Sequence, residues 1–597
     1  MITNSNTIAT LLSVPVWQSL GTAFLLLSAF FGMGKLLLRS FPQEHTIAFA
    51  LGTACFMTLY SLLPPSPWIL FSAALPFSLW GIRNLFPAIN SSPGKAVLMA
   101  LLFPAFLGSA LLPPYAWDEQ TYQLALPVRC LQTASFVPCP DNPYSFYPAL
   151  TGWFFANTIK TGGLVLPRII VGAVTPVLLA ALWRITSKWG KLPGIFAVAA
   201  LLLSPLFLNM NRAVYVENFI ALFTIGGVFA AWKLRKKAYW APAVCGILAG
   251  AAIAVKPTGA VGALLLFLLF IFKPGKWKKW LLFCGTAFAF SFFWYLRTFL
   301  YTGNFFYPYS FFPVSESVEH FHKLMGSARY GLEGITGVAL NWLFAGFDKK
   351  LFDGIVTGFQ LPFLGAAAAA GAFFLRKKHP GYARWLYCAG IAFLAPLILW
   401  SAFFPQSRFL LPLLIPAIGT GVCAIALSPY KKAGFFTLGI FLFCTLVFQS
   451  YQPLYHYFVS WKILKAVRSA PMRSLGILAK DPGLYAAFDF LEKSTPQKSR
   501  CLLLMERRGL YCPRPYRIAC PGFEPSLTPV PETSEKLFEK LRSFDYIIVG
   551  NTTQDVDLQS ANAEACKKVF EHLKTLIEQG KLKVMPCTGY PVLQVIK

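Results

Sequence analysis

Carboxylates are scarce in this 597-residue sequence: 24 Asp and Glu stand against 53 Lys and Arg, and only ten of the acids precede position 454. Charged residues of either sign are also few, at 13%, while hydrophobic residues reach 56% and the mean hydropathy is +0.56. That composition excludes a water-soluble surface for most of the chain, whose solvent must be lipid. The thirteen cysteines contain no CxxC pair and no Cys/His set at zinc-finger spacing, so no structural metal site is expected. Neither GxGxxG nor GxxxxGK[ST] occurs, which removes the usual cradles for nucleotide phosphates. The formal net charge of +29 would suggest nucleic acid in a soluble protein. Here the cations fall in short clusters between apolar runs, where they set topology and meet anionic headgroups, so the expected partners are membrane lipids and not nucleic acid.

The sequence predicts about fourteen membrane spans. Apolar runs lie near 17–35, 46–63, 66–82, 96–113, 166–185, 193–209, 217–232, 240–255, 258–272, 280–297, 356–375, 385–403, 409–427 and 434–451. Alternate connections carry the basic clusters, among them Lys35 with Arg39, Arg184 with Lys188 and Lys191, Lys233 with Arg235 to Lys237, and Arg376 to Lys378. The intervening short connections hold at most one cation each, so the positive-inside rule gives one orientation, with both termini outside. The start, MITNSNTIATLLSVPVWQSL, lacks a basic stretch, so a retained first span is expected in place of a cleaved leader. In this topology Glu44 is the one cytoplasmic acid of the ten, and none sits at mid-span, where a pump or ion-coupled transporter usually needs one.

Three regions follow. Residues 1–94 hold extra N-terminal spans; 95–452 form a core with two long outer loops, 114–165 and 298–355, rich in aromatic residues and proline; 453–597 begin with an interfacial helix anchored by Tyr455, Tyr457, Phe458 and Trp461. Beyond it, strands near 501–505, 546–549, 582–586 and 592–596 alternate with helices near 483–493, 534–542 and 560–578, the pattern of a small soluble α/β domain. Two cysteine pairs in outer segments, Cys130 with Cys139 and Cys512 with Cys520, would be disulfides or free thiols; an oxidising compartment allows the former and spacing does not decide.

The candidate chemistry begins at Asp118 and Glu119, in PPYAWDEQTYQLALP directly after the fourth run. Adjacent side chains point in different directions, so the two acids should divide roles, one meeting a reacting group and the other a neighbour. At a partly desolvated interface a carboxylate can serve as base for a hydroxyl or amine; two solvated loop acids are the plain alternative. Glu217 opens a span in YVENFIALF, Lys256 ends one in GAAIAVKPTG, Arg408 opens one in RFLLPLLIP, and Arg212 and Arg297 fall at the same depth. Taken singly each reads as a snorkelling side chain at a span end; together they gather cations and acids at one membrane level.

These motifs, WDEQTY, YVENFIALF, GAAIAVKPTG and RFLLPLLIP, resemble the GT-C membrane glycosyltransferases, including the protein O-mannosyltransferase and aminoarabinose transferase families, over about 96–452. With the orientation set by the basic clusters, the polytopic helical core is expected in a bacterial inner membrane, with the termini and C-terminal domain in the periplasm. The resemblance implies an inverting transfer of a sugar from a polyprenyl-phosphate-linked donor to an acceptor on the outer face, whether protein, lipid or glycan. Carried across, Asp118 would be the general base and Glu119 its support; Lys256 and Arg408, helped by Arg212 and Arg297, would hold the donor phosphate. Tyr122, Glu217, His320 and His322 would contact acceptor or sugar, Glu217 standing where the family more often has Asp. No cofactor is implied, although the oligosaccharyltransferase branch needs a metal; His320 and His322 lack a matched third ligand. A transporter or lipid flippase and a non-enzymatic envelope scaffold are the rival readings.

Overall fold

The computed structural model describes residues 14–39, 44–64, 66–90, 108–133, 135, 137–237, 239–271, 277–308, 332, 334–352, 354–378, 390, 393–402, 405–469, 471–520, 530–550 and 563–597. In chain order the helices of the first half are α1 (Val16–Leu37), α2 (His45–Ser61), α3 (Pro67–Asn90), α4 (Ala125–Thr133), α5 (Leu150–Gly162), α6 (Val165–Thr186), α7 (Lys191–Leu202), α8 (Pro205–Asn211), α9 (Glu217–Lys233) and α10 (Trp240–Val255). There follow α11 (Ala260–Ile271), α12 (Trp277–Thr302), α13 (Gly334–Phe344), α14 (Gln360–Lys378), α15 (Leu411–Leu427), α16 (Lys431–Thr445), α17 (Tyr451–Ser469), α18 (Pro471–Leu478) and α19 (Pro482–Ser494). Among the described residues five helical stretches are long and apolar enough to cross a membrane, and the pair α7–α8, bent by 64°, makes a sixth. The expected span at 96–113 lies largely outside the described residues, and within that at 385–403 the described residues form a short apolar helix, Phe393–Ala402.

Where the helices break is dictated locally. Between α7 and α8 the chain turns at Ser204, whose hydroxyl accepts from Phe207 N and donates to Thr357 O at 2.7 Å, while Pro205 supplies a first-turn residue that needs no N–H partner. α10 stops at Val255 because Lys256 precedes Pro257: a residue before proline is driven out of helical geometry, and Lys256 is extended, with φ −165° and ψ 146°. The chain then re-enters against α10 so closely that a Cβ on Gly259 would sit 2.0 Å from the Ala252 carbonyl oxygen, a contact only glycine permits.

Two helical stretches differ from the sequence expectation. Within the first long loop, α5 is a buried helix, with Leu150, Phe154, Phe155 and Ile159 fully enclosed. Its apolar residues recur at helical spacing, but at 13 residues it is too short to be read as a span. The first two N-terminal helices grip it: Gln18 and Ser19 of α1 donate to the Thr161 and Gly162 carbonyls at 2.9 and 2.7 Å, and Asn157 of α5 donates to Tyr60 O of α2 at 3.1 Å. The stretch expected to be an interfacial helix continues the last span: α16 runs through a π-turn at Leu446–Ser450 into α17. On α17, Tyr455 is exposed, whereas Tyr457 is buried and donates to Leu208 O of α8 at 2.7 Å.

Beyond α19 the chain forms β1 (Cys501–Leu504), β2 (Tyr516–Ala519), α20 (Ser534–Leu541), β3 (Tyr546–Val549), α21 (Ala563–Glu578), β4 (Leu582–Val584) and β5 (Val592–Val595). The sheet order is β2-β1-β3-β5-β4, with β2, β1 and β3 parallel and the last two strands antiparallel. β1 and β3 are buried along their whole length, as strands covered on both faces must be. Leu537 and Leu541 of α20 and Val569, Leu573 and Leu576 of α21 belong to the core on one face. Strand β2, absent from the sequence reading, is a short edge strand after CPRP, where prolines obscure the pattern.

Candidate active site

After residue 110 the chain turns at Leu111 and Leu112 and passes through Pro113 and Pro114, and Trp117 and Asp118 lead into a single π-turn over Glu119–Gln123, closed by Leu124 N donating to Glu119 O at 3.1 Å. Glu119 is fully buried, and both its oxygens are committed. Oε2 accepts from the backbone N–H of Tyr115 and of Ala116, each at 2.9 Å, Oε1 accepts from Val214 N at 2.7 Å, and Arg168 Nη1 reaches the two oxygens at 2.6 and 2.8 Å. The second amino group of Arg168 donates to Ser109 O and Arg212 O. Glu119 thus joins its own turn to α6 and to the strap between α8 and α9. A buried carboxylate with this many donors is a structural hub, its desolvation offset by charge-assisted hydrogen bonds.

Asp118, one residue earlier, is 5% exposed and differently equipped. Its Oδ2 accepts from Tyr122 Oη at 2.7 Å and from Arg408 Nη1 at 2.6 Å. Among the described residues Oδ1 accepts no hydrogen bond, and it is not among the sealed, unpartnered atoms. Tyr122 is stacked on Tyr144, ring centroids 4.5 Å apart. Burial, and then the charge of Asp118, push its phenol well above the usual range, so Tyr122 stays a neutral donor. Arg408 comes from the short 3-10 turn Ser407–Leu410 before α15 and is steadied by Gln406 Oε1 at 2.9 Å.

The second ion pair lies beside the first. Lys256, 6% exposed, donates to Glu217 Oε1 at 2.9 Å, and its ammonium sits 4.7 Å from the Phe409 ring centroid and 5.9 Å from that of Tyr122. Glu217 Oε2 is buried without a hydrogen-bond partner among the described residues. Asp118, Tyr122, Arg408, Phe409, Lys256 and Glu217 therefore form one cluster drawn from the first loop, the start of α9, the end of α10 and the start of α15. A cleft enclosing about 650 Å³, its mouth included, reaches this cluster at Tyr122 and Lys256; Tyr144, Tyr147, Trp153 and Arg297 also line it. Its walls are aromatic and prolyl, and its charged lining residues are the two cations.

The remaining expected site residues fall as follows. Arg297 of α12 borders the cleft and donates to the carbonyls of Ser145 and Tyr147 at 3.2–3.4 Å, holding the loop wall. Arg212 acts electrostatically on Tyr115, whose phenol is pushed up by burial and pulled down by Arg212 and Arg168; its backbone oxygen, as noted, receives Arg168. His320 and His322 lie outside the described residues. Neither expected pair, Cys130 with Cys139 or Cys512 with Cys520, is joined by a disulfide in the structure: the first two share the cleft wall, while Cys512 lies against Cys501, whose thiol is pushed up by that contact and by burial. Residues that sequence reasoning missed are Arg168, Tyr144, and the Tyr115–His456 pair bonded at 2.7 Å. For Arg168 a signal existed, a lone cation inside the apolar run LVLPRIIVG.

No protein-family model matches this sequence, and no curated protein does. Among solved structures, ArnT from Cupriavidus metallidurans bound to undecaprenyl phosphate is similar, with a TM-score of 0.51 and 14% identity over 84% of this chain and 98% of that one. The same protein in its apo state gives a TM-score of 0.48 and 16% identity over the same shares. The likeness noted in short motifs thus extends to the architecture: this chain is a helical membrane protein with the fold of ArnT, an aminoarabinose transferase of the GT-C type.

Proposed function

We propose that the protein is an inverting membrane glycosyltransferase that moves a sugar from a polyprenyl-phosphate donor to an acceptor at the outer face. The observation that carries this reading is Asp118: a nearly buried carboxylate with one oxygen fixed by Tyr122 and Arg408 and the other accepting no hydrogen bond among the described residues, its partner Tyr122 lining a cleft whose charged lining residues are the cations Lys256 and Arg297. Asp118 Oδ1 takes the proton of the acceptor hydroxyl or amine. The acceptor atom bonds to the anomeric carbon as the bond from that carbon to the phosphate oxygen breaks, and the polyprenyl phosphate leaves with the electron pair. Arg408 and Lys256 stabilise the negative charge that develops there, with Arg212 and Arg297 lending charge from further off. Lys256 and Arg408 each hold a carboxylate in this structure, so donor binding exchanges part of those ion pairs for the phosphate. The lipid tail stays in the bilayer while the head group reaches the cleft; in this reading the cluster, both termini and the C-terminal sheet lie on the periplasmic side of a bacterial inner membrane, with about fourteen spans as the charge pattern predicts.

The test is mass analysis of envelope glycans and lipids from cells with and without the gene. The proposal expects one sugar to disappear from one acceptor, which names both substrates; an unchanged envelope in cells that express the protein, with the wild-type protein binding no polyprenyl phosphate, would sink it.

A further inference from the structure

The C-terminal sheet touches the Asp118 loop at a few well-formed points, and they bracket the acid. Tyr511, buried, donates its hydroxyl to Pro114 O at 2.8 Å, four residues before Asp118. Leu510 N donates to Gln120 O at 3.2 Å, two residues after it. A third tie runs from β2: Ile518 N donates to Asp141 Oδ2 at 3.0 Å, and Asp141 also takes both amino groups of Arg129 at 3.0 Å. Its neighbour Asn142 donates to Thr121 O at 2.9 Å. The Arg129 guanidinium in turn lies 5.1 Å from the Tyr516 ring centroid. The backbone is therefore held from outside at 114, 120 and 121, while Glu119 holds it from inside.

The segment that reaches across is itself rigid. Arg508 is buried between Asp481, at 2.5 Å, and Glu506, at 2.6 Å. Asp481 accepts from Tyr590 Oη at 2.7 Å and from Leu484 N at 3.2 Å at the start of α19. Gly509 lies flat on Tyr516: a Cβ there would fall 2.2 Å from the ring. Buried, fully partnered charges of this kind fix geometry more than they add stability.

We infer that residues 506–518 are a positioning clamp for the loop that carries Asp118, and that Tyr511 is its principal positioning residue. Tyr511 touches no reacting atom; it fixes the carbonyl of Pro114 and with it the turn that carries Asp118 and its partner Tyr122, which lines the cleft. A catalytic carboxylate displaced by about 1 Å loses on the order of a hundredfold in rate, so the C-terminal sheet is part of the working site and not an appended module. The clamp itself stands on geometry alone; its service to sugar transfer rests on the proposed function.

The experiment uses the full chain in lipid nanodiscs and compares wild type with Tyr511→Phe, which removes only the hydroxyl, and Tyr511→Ala. Hydrogen–deuterium exchange reads the loop, undecaprenyl phosphate serves as the binding probe, and the envelope sugar reports transfer. The clamp predicts exchange of the amides at 115–124 about five- to tenfold faster in Tyr511→Phe, the loss of one hydrogen bond, with β3 to β5 and α6 unchanged. It also predicts probe affinity within about twofold of wild type and transfer reduced about tenfold, because a mispositioned base slows turnover without removing the phosphate site. Unchanged loop exchange in Tyr511→Phe overturns the clamp even if Tyr511→Ala fails to fold. Faster exchange with full transfer overturns the positioning role. Faster exchange in a protein whose wild type binds no undecaprenyl phosphate supports the clamp and counts instead against the proposed donor class.

Discussion

Asp118 and Glu119 are adjacent in the chain, both nearly buried, and opposite in what they leave open. Glu119 spends its oxygens on Tyr115, Ala116, Val214 and Arg168; Asp118 gives Oδ2 to Tyr122 and Arg408 and keeps Oδ1 for something else. Burial alone therefore does not separate a structural acid from a chemical one. Unspent acceptor capacity beside a cleft does. The expectation that the two would divide roles has a physical form here: one acid builds the turn, and the other is presented by it.

Three substitutions would sharpen that contrast in descending order of effect. Replacing Asp118 by Asn keeps the shape and removes the base; transfer should fall about a thousandfold, while the melting temperature of the purified protein stays close to wild type. Glu119→Gln should do the reverse kind of damage, leaving Arg168 buried and unpaired at a cost of about 3–5 kcal/mol, seen as a large drop in thermal stability and in folded yield. Arg408→Gln should cost about a hundredfold in transfer by removing one electrostatic stabiliser, again with the fold intact. If Glu119→Gln were as stable as wild type, the division of labour drawn here would be wrong.

Smaller effects test the walls of the site. Tyr122→Phe removes one hydrogen bond to a charged oxygen, worth about 2 kcal/mol, and should slow transfer by roughly tenfold or somewhat more while leaving the Arg408 contact. Cys130, pushed up to about 12 by burial, should resist maleimide at pH 7 and react about tenfold faster with each unit of rising pH until that value. Labelling that is fast and independent of pH at neutrality would show that the cleft wall is open where the structure closes it.

Much of the candidate site was legible in the sequence because its markers are local. Acid pairs, a lysine before a proline and an arginine opening a span stand out in apolar surroundings, and Asp118, Glu217, Lys256 and Arg408 do come together. Four of the five strands were legible for the same reason, as short β-branched and leucine-rich runs. What stayed hidden depends on distance in the chain. Arg168 went unread because its partner Glu119 lies 49 positions earlier in the chain. Which cations are spent on carboxylates, with Lys256 on Glu217 and Arg408 on Asp118, is a property of packing that spacing does not encode. The clamp joins residues separated by 397 positions, Tyr511 and Pro114, and nothing in either stretch names the other. α5 was missed because its length fell below a bilayer's thickness even though its apolar spacing was helical.

The central claim is that Asp118 Oδ1 is the base of a sugar transfer fed by a lipid-linked donor. It is tested most directly by complementing cells that lack the gene with the wild-type chain or with Asp118→Asn at equal membrane abundance, and weighing the envelope sugar that the wild type restores. The account predicts that the Asn variant restores about a thousandth of it or less while still binding undecaprenyl phosphate; full restoration by Asp118→Asn would contradict it.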